Sequence, residues 1–182
     1  MPAATTVTGV EDDAPLSTFS RCHAGILGQL EATAKLPELA EAAERARRTA
    51  QSTIELFDHA VLKHHEEEED ELFTAVMKSA TPEERAHVGT LVERLTAEHR
   101  RVEALWKSLE PAVKAVARGA PAQIDAAALA ELVRCYDEHA RFEEGEFLPL
   151  AERILGRNDN HMAALGMSLH MRHLHPRVIG YI

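Results

Sequence analysis

Apolar residues recur every three to four positions along most of the chain, in four stretches separated by proline and glycine. This spacing predicts amphipathic helices rather than strands. The first two predicted helices cover residues 16–34 and 38–79. Thr81-Pro82 followed by Glu84 is a typical helix start, with a capping residue, a first-turn proline and a glutamate that closes the capping box. The third predicted helix therefore begins there.

Prolines and glycines also predict where the later helices change direction. Pro111 is expected to kink or end the third helix, because proline lacks the backbone N–H and its ring obstructs the preceding turn. The segment 119–121, Gly-Ala-Pro, separates the third helix from the fourth. Pro149 is expected to bend the last turns of the fourth helix. Four long helices with short connections predict an all-α fold, an antiparallel up-down-up-down four-helix bundle.

The apolar stripes indicate an internal duplication. A shift of 75 positions places the second helix on the fourth, and a shift of 76 places the first on the third. The first shift aligns Phe57, Val61, His64, Glu68 and Leu72 with Leu132, Tyr136, His139, Glu143 and Phe147. The second aligns Phe19, His23, Ile26 and Leu30 with Leu95, His99, Val102 and Trp106. Each half thus carries a histidine on its first helix and a His-x-x-x-Glu pair on its second.

Composition narrows the range of functions. A chain of 182 residues suits one domain, and its formal net charge of -10 argues against nucleic acid and anionic membranes as partners. No apolar run is long enough to span a bilayer. Residues 1–15 are acidic and are predicted to form a flexible tail rather than a signal peptide. The bundle is expected to cover residues 16–156, followed by a His-rich helical extension at 157–182, in a cytoplasmic protein.

The run HHEEEEDE at residues 64–71 poses a question of register. His64 with Glu68, and His65 with Glu69, are both pairs four residues apart, so either pair could face the core. The duplication favours the first pair, because His139 precedes Phe147 by eight residues, as His64 precedes Leu72. His64 and Glu68 are therefore predicted to face inward, and His65 with Glu69 is the alternative.

The predicted core then contains six polar residues: His23, His64, Glu68, His99, His139 and Glu143. Burying two carboxylates without positive partners costs several kcal/mol each, and no lysine or arginine lies on these stripes. Imidazole and carboxylate ligands suit iron, manganese or zinc. Six ligands exceed the needs of one tetrahedral zinc and predict two metal ions bridged by carboxylates, with open coordination positions.

The pattern H…HxxxE…H…HxxxE resembles that of the hemerythrin family, specifically the hemerythrin-like proteins with an HHE cation-binding domain. HHEEEEDELF and HARFEEGEFLP are similar to the family's HxxxEExxLFP segment. The resemblance covers residues 16–156 and implies a four-helix bundle that holds a non-haem di-iron centre. It implies bridging roles for Glu68 and Glu143. The terminal ligands that it implies are His23, His64, His99 and His139.

Two positions depart from the oxygen-carrying members of that family. Those proteins have a second histidine on helix three and an aspartate after the last histidine, where this chain has Glu103 and Glu144. The departure indicates sensing or redox chemistry with oxygen, nitric oxide or peroxide rather than simple oxygen carriage, and Glu103 is a candidate extra ligand. Alternatives are an iron store or sensor and a peroxide-disproportionating enzyme. The C-terminal extension is a candidate dimer contact.

Overall fold

The computed structural model describes residues 15–157, and every regular element in that range is helical. Seven α-helices follow one another: α1 (Pro15–Thr33), α2 (Leu36–Leu56), α3 (Leu62–Glu67), α4 (Thr74–Ser79), α5 (Pro82–Ala117), α6 (Ala126–Phe142) and α7 (Leu148–Leu155). Three π-helical segments interrupt them: Phe57–Val61, Glu68–Phe73 and Glu143–Phe147. The predicted all-α class is confirmed.

The predicted helix ends agree with the structure at several points. The second helical run ends at Ser79, and α5 begins at Pro82 with Thr81 as its capping residue. The Thr81 side chain accepts from the backbone N–H of Glu84, and the Glu84 carboxylate accepts from the N–H of Thr81. The prediction that Pro111 could end its helix is wrong, since α5 continues to Ala117. Pro111 is exposed, so water can satisfy the carbonyl that loses its partner there.

The chain divides into two units, residues 1–45 and 46–182. The first contains α1 and the beginning of α2, and the side chains of Phe19, Ile26 and Leu30 on α1 are exposed. The predicted N-terminal tail and His-rich extension lie outside the described residues. Within residues 15–157, no helix combines the length and the apolar character needed to cross a membrane.

The second unit has two hydrophobic clusters, one at each end of α5. Phe73 and Val76 pack with the start of α5 and with Phe147 and Ile154. At the other end, Phe57 stacks on Trp106 with a ring-centroid distance of 4.1 Å. Because the start of α5 meets the ends of its two neighbours, α5 runs antiparallel to both. The polar residues of the candidate site lie along these helices between the two clusters.

Two of the three π-helical segments begin at acidic residues that are buried. Glu68 opens one segment and Glu143 opens another, so the duplicated halves share this local feature. A π-helical turn accommodates an extra residue and changes the direction of the side chains that follow. Such turns occur frequently at functional sites.

Candidate metal centre

Three buried histidines from three helices converge in the middle of the second unit. His65 comes from α3, His99 from α5 and His139 from α6, and each is at most 2% exposed. The rings of His65 and His99 stack with centroids 3.9 Å apart, and His139 meets His99 edge-on at 4.7 Å. Their metal-binding nitrogens lie within 4.8 Å of one another. These residues are referred to below as the histidine triad.

Each histidine of the triad has a carboxylate at its outward nitrogen. His99 Nδ1 lies 2.9 Å from Glu69 Oε1, and His65 Nδ1 lies 3.2 Å from Glu103 Oε1. His139 Nδ1 lies 3.3 Å from a carboxylate oxygen of Glu98. A carboxylate at Nδ1 places the ring proton there and leaves the Nε2 lone pair free to bind a metal. The three outer carboxylates therefore orient the triad toward one point.

A second group of ligand atoms adjoins the first. His64, Glu68 and Glu143 also bring their ligand atoms within 4.8 Å of one another, and this set is called the carboxylate triad. Glu68 lies between the groups: its Oε1 is 3.1 Å from His64 Nε2, and its Oε2 is 3.3 Å from His99 Nε2. Glu143 Oε2 is 3.8 Å from His139 Nε2. The two triads thus form one continuous cluster.

The pKa values of the histidines reflect their burial. Burial and the neighbouring His99 lower the pKa of His65 to about 4, and the same two causes lower the pKa of His139. Burial would also lower the pKa of His99, but contacts with Glu68 and Glu69 outweigh it and raise that pKa. His65 and His139 are therefore neutral at physiological pH, the form that binds a metal ion.

The pKa values of the buried carboxyl groups of Glu68 and Glu143 are shifted in opposite directions. Burial, together with the nearby Glu68, raises the pKa of Glu143 to about 8. Burial would raise the pKa of Glu68 too, but its contacts with His99 and Glu143 hold that pKa below its usual value. Two adjacent carboxyl groups cannot both ionise easily in a buried site, so one carries a proton unless a cation takes its place.

A cavity of about 450 Å³ leads to the carboxylate triad. His64, Glu68 and Glu143 contribute to its walls, together with Tyr136, Glu144 and Leu148. His139 is the member of the histidine triad that also lines it. A small molecule can therefore reach the carboxylate triad from this side.

The unsatisfied atoms of the cluster fit a metal ion. Among the described residues, no hydrogen-bond partner is found for the buried Nε2 atoms of His65, His99 and His139 or for Glu68 Oε2. Buried polar atoms without hydrogen bonds are costly, and here four of them lie in one region, with His99 Nε2 and Glu68 Oε2 only 3.3 Å apart. Imidazole nitrogens whose protons are held on the far side can accept a metal but cannot donate to one another. The cluster could therefore hold a metal ion.

Sequence comparison supports the same conclusion. Residues 14–151 match the hemerythrin HHE cation binding domain. The chain belongs to this family. No curated protein and no solved structure gives a significant match. Membership of the hemerythrin family implies a metal cofactor, and the buried histidines and glutamates described above are where this hemerythrin domain could bind it.

Within the hemerythrin domain, the structure reverses the expected burial of the two neighbouring histidines. His65 is 1% exposed and joins the histidine triad, whereas the His64 side chain is 43% exposed and lies on the cavity side. The sequence alignment paired Leu72 with Phe147, but the buried partner of Phe147 is Phe73, at a centroid distance of 5.0 Å. The burial prediction for His64 is therefore wrong by one residue, while its role as a ligand stays a prediction.

The π-helical turns explain the error. The buried histidines His65 and His139 are offset by 74 positions, whereas the buried glutamates Glu68 and Glu143 are offset by 75. No single shift aligns both pairs, because Phe57–Val61 is π-helical whereas the aligned part of α6 is α-helical, and the extra residue of that π-helical turn shifts the phase of the histidine that follows. The two members of the alternative pair also have different positions. His65 belongs to the histidine triad, whereas Glu69 accepts from Nδ1 of His99, on the outward side of that ring.

The remaining predicted site residues have different positions. His99, His139, Glu68 and Glu143 are buried in the cluster. His23 is exposed on α1, in the first unit, and belongs to neither triad, so its role as a ligand stays a prediction. The sequence indicated Glu69 only as the alternative core-facing partner of His65, and Glu98 resembles an ordinary acidic surface residue, so neither was predicted to support a histidine. Their spacing from the histidines on neighbouring helices becomes visible only once the helices are packed.

Proposed function

We propose that this hemerythrin-family domain binds two iron ions, one at each triad, and that Glu68 bridges them. The observation that carries the proposal is the position of the Glu68 carboxylate. One of its oxygens lies 3.1 Å from His64 and the other 3.3 Å from His99, so the two oxygens face different triads. A carboxylate shared in this way brings two cations close together without leaving its own charge buried and unpaired.

The donor set favours iron. Imidazole and carboxylate ligands suit iron, manganese and zinc, and no thiolate is needed. Manganese and zinc are therefore possible substitutes. Two adjacent irons held by these residues would supply reversible binding of, and electron exchange with, a small ligand such as oxygen, nitric oxide or peroxide. The cavity gives such a ligand access to the carboxylate triad, while the three histidines of the other triad are each at most 2% exposed.

Glu103 favours sensing or redox chemistry over simple oxygen carriage. At the position where the oxygen carriers have a second histidine on helix three, Glu103 instead accepts from Nδ1 of His65. Glu103 therefore supports His65 from outside the cluster, and the cluster has no imidazole from this position. The cavity also admits peroxide, so a catalase-like enzyme is the second candidate. An iron store or sensor whose metal orders the bundle is a further alternative.

Reconstitution with ferrous iron under anaerobic conditions tests the proposal. We expect two irons per chain, in line with the two groups of ligand atoms. His99→Ala should lose iron, because it removes a fully buried nitrogen of the histidine triad. His87→Ala is the matched control, since His87 is an exposed residue of the same helix. Wild-type protein that binds no iron, or a His99→Ala variant that keeps both ions, would contradict the proposal.

Addition of oxygen, nitric oxide or hydrogen peroxide to the reduced, loaded protein then identifies the ligand. Reversible spectral changes without turnover support a sensor, and sustained evolution of oxygen from peroxide supports the enzyme.

Four further expectations from the sequence remain part of this proposal. They are a four-helix antiparallel bundle, His23 as a metal ligand, a cytoplasmic location, and a homodimer formed through the C-terminal extension. A His23→Ala variant with unchanged iron content would remove His23 from the ligand set.

A further inference from the structure

Arg100 joins the two carboxylates that support the stacked histidines. It follows His99 on α5, and its side chain is 56% exposed. One guanidinium nitrogen, Nη1, lies 2.9 and 3.0 Å from the two carboxylate oxygens of Glu103. The other, Nη2, donates to Glu69. One cation therefore holds two carboxylates that come from two different helical runs.

His65 and His99 are each supported by a carboxylate from the helical run of the other. Glu103 on α5 accepts from His65 on α3, while Glu69, which follows Glu68 in the second helical run, accepts from His99 on α5. The rings stack with an angle of 4° between their planes. Because each ring is held by the opposite helix, a movement of either helix displaces both rings. Arg100 contacts both supporting carboxylates, so it can hold the two helical runs and the two rings in this arrangement.

We infer that Arg100 is a positioning residue for the metal centre, acting on His65 and His99 together through Glu103 and Glu69. The inference rests on the proposed function. The guanidinium fixes the position of both carboxylates beside the Nδ1 atoms of the histidines, so that each ring keeps its proton on Nδ1 and its lone pair on Nε2. It also balances part of the two negative charges. Groups that orient metal-ligating histidines affect metal affinity strongly even though they do not touch the metal.

His139 has a separate support, which provides an internal comparison. Arg94 donates to Glu98 at 2.8 Å, and Glu98 accepts from His139. Arg94 also lies over the ring of Phe142, 3.4 Å from its centroid. Arg94 thus acts on one histidine, whereas Arg100 acts on two. Arg101, next to Arg100, pairs with Glu131 and supports no histidine of the triad.

Cobalt titration tests the assignment through metal affinity. Co²⁺ is added to the full-length protein in competition with a chelator of known affinity. We expect Arg100→Ala to weaken binding by about tenfold, the lower end of the range for groups that orient metal ligands. Arg100→Lys should recover only part of the loss, because an ammonium group cannot reproduce the planar fork that reaches both carboxylates. Arg101→Ala is the control and should match the wild type.

Proton NMR of the cobalt-loaded protein gives a readout that general destabilisation would not produce. The Nδ1–H protons of the three buried histidines should appear as shifted, exchangeable signals. Arg100→Ala should speed solvent exchange for His65 and His99 and leave His139 unchanged, and Arg94→Ala should affect His139 instead. Unchanged affinity and exchange in Arg100→Ala would overturn the assignment, as would equal changes at all three histidines. Wild-type protein that takes up no cobalt would instead contradict the proposed function, and the assignment with it.

Discussion

The two triads of the cluster use similar ligands in opposite surroundings. In the histidine triad, every member is buried and has a carboxylate on its outward nitrogen. In the carboxylate triad, the single histidine, His64, is 43% exposed on its side chain, and a cavity opens onto the group. The histidine triad is buried and supported by outer carboxylates, while the carboxylate triad is accessible to solvent through the cavity.

This difference predicts unequal behaviour of the two ions. An ion at the histidine triad would be held by buried rings that carboxylates support from outside, so its release should be slow. An ion at the carboxylate triad can exchange with solvent through the cavity. With both triads occupied as proposed, the two ions would share Glu68, which would couple the triads. Ligand type alone does not set the lability of a bound metal ion, because the surroundings of the ligands also control it.

Removing the shared carboxylate should have the largest effect. Glu68→Ala deletes the group whose oxygens face both triads, and we expect the iron content to fall from two ions per chain to less than one. The metal-free variant should still fold, because the substitution removes a buried charge rather than leaving one unpaired. Metal analysis and circular dichroism provide the two measurements.

Glu66→Ala is the matched control, since Glu66 is exposed on the same short helix, α3. It should retain both ions. Full iron content in Glu68→Ala would mean that Glu68 does not bridge, and the coupling between the triads would then be absent.

Substitution of the two neighbouring histidines should remove one ion each. His65→Ala deletes a nitrogen of the enclosed triad and should weaken binding of the slowly exchanging ion by at least roughly 100-fold, because loss of a group that only orients a ligand already costs about 10- to 100-fold. His64→Ala should leave that ion in place and lose the rapidly exchanging one. Chelator competition separates the two. If the two variants lose the same ion, the division into triads is wrong.

The sequence predicted the helices and much of the cluster for identifiable reasons. Helix ends are local features, as the capping box of Thr81 and Glu84 shows. His99 lies on a regular stretch of α5, so its phase follows directly from the apolar stripe. Glu68 and Glu143 stand out as acidic residues on core-facing stripes, which is a strong signal because burial of a carboxylate requires a partner.

The other parts of the site depend on information that a linear pattern does not contain. The choice between His64 and His65 depends on π-helical turns, whose extra residues break the regular helical period. The supports Glu69 and Glu103 act across helices, so their partners are fixed by packing rather than by spacing. Arg100 is exposed and lies among other charged residues, where a solvated surface is the default interpretation.

Release of iron from the fully loaded protein tests the central claim most directly. Reduced protein is mixed with excess ferrous chelator under anaerobic conditions, and the coloured complex is followed with time. We predict two phases of equal amplitude, one ion each, and a His64→Ala variant that lacks the fast phase. A single phase that releases both ions, or a fast phase that survives in His64→Ala, would contradict a centre made of one enclosed and one solvent-facing triad.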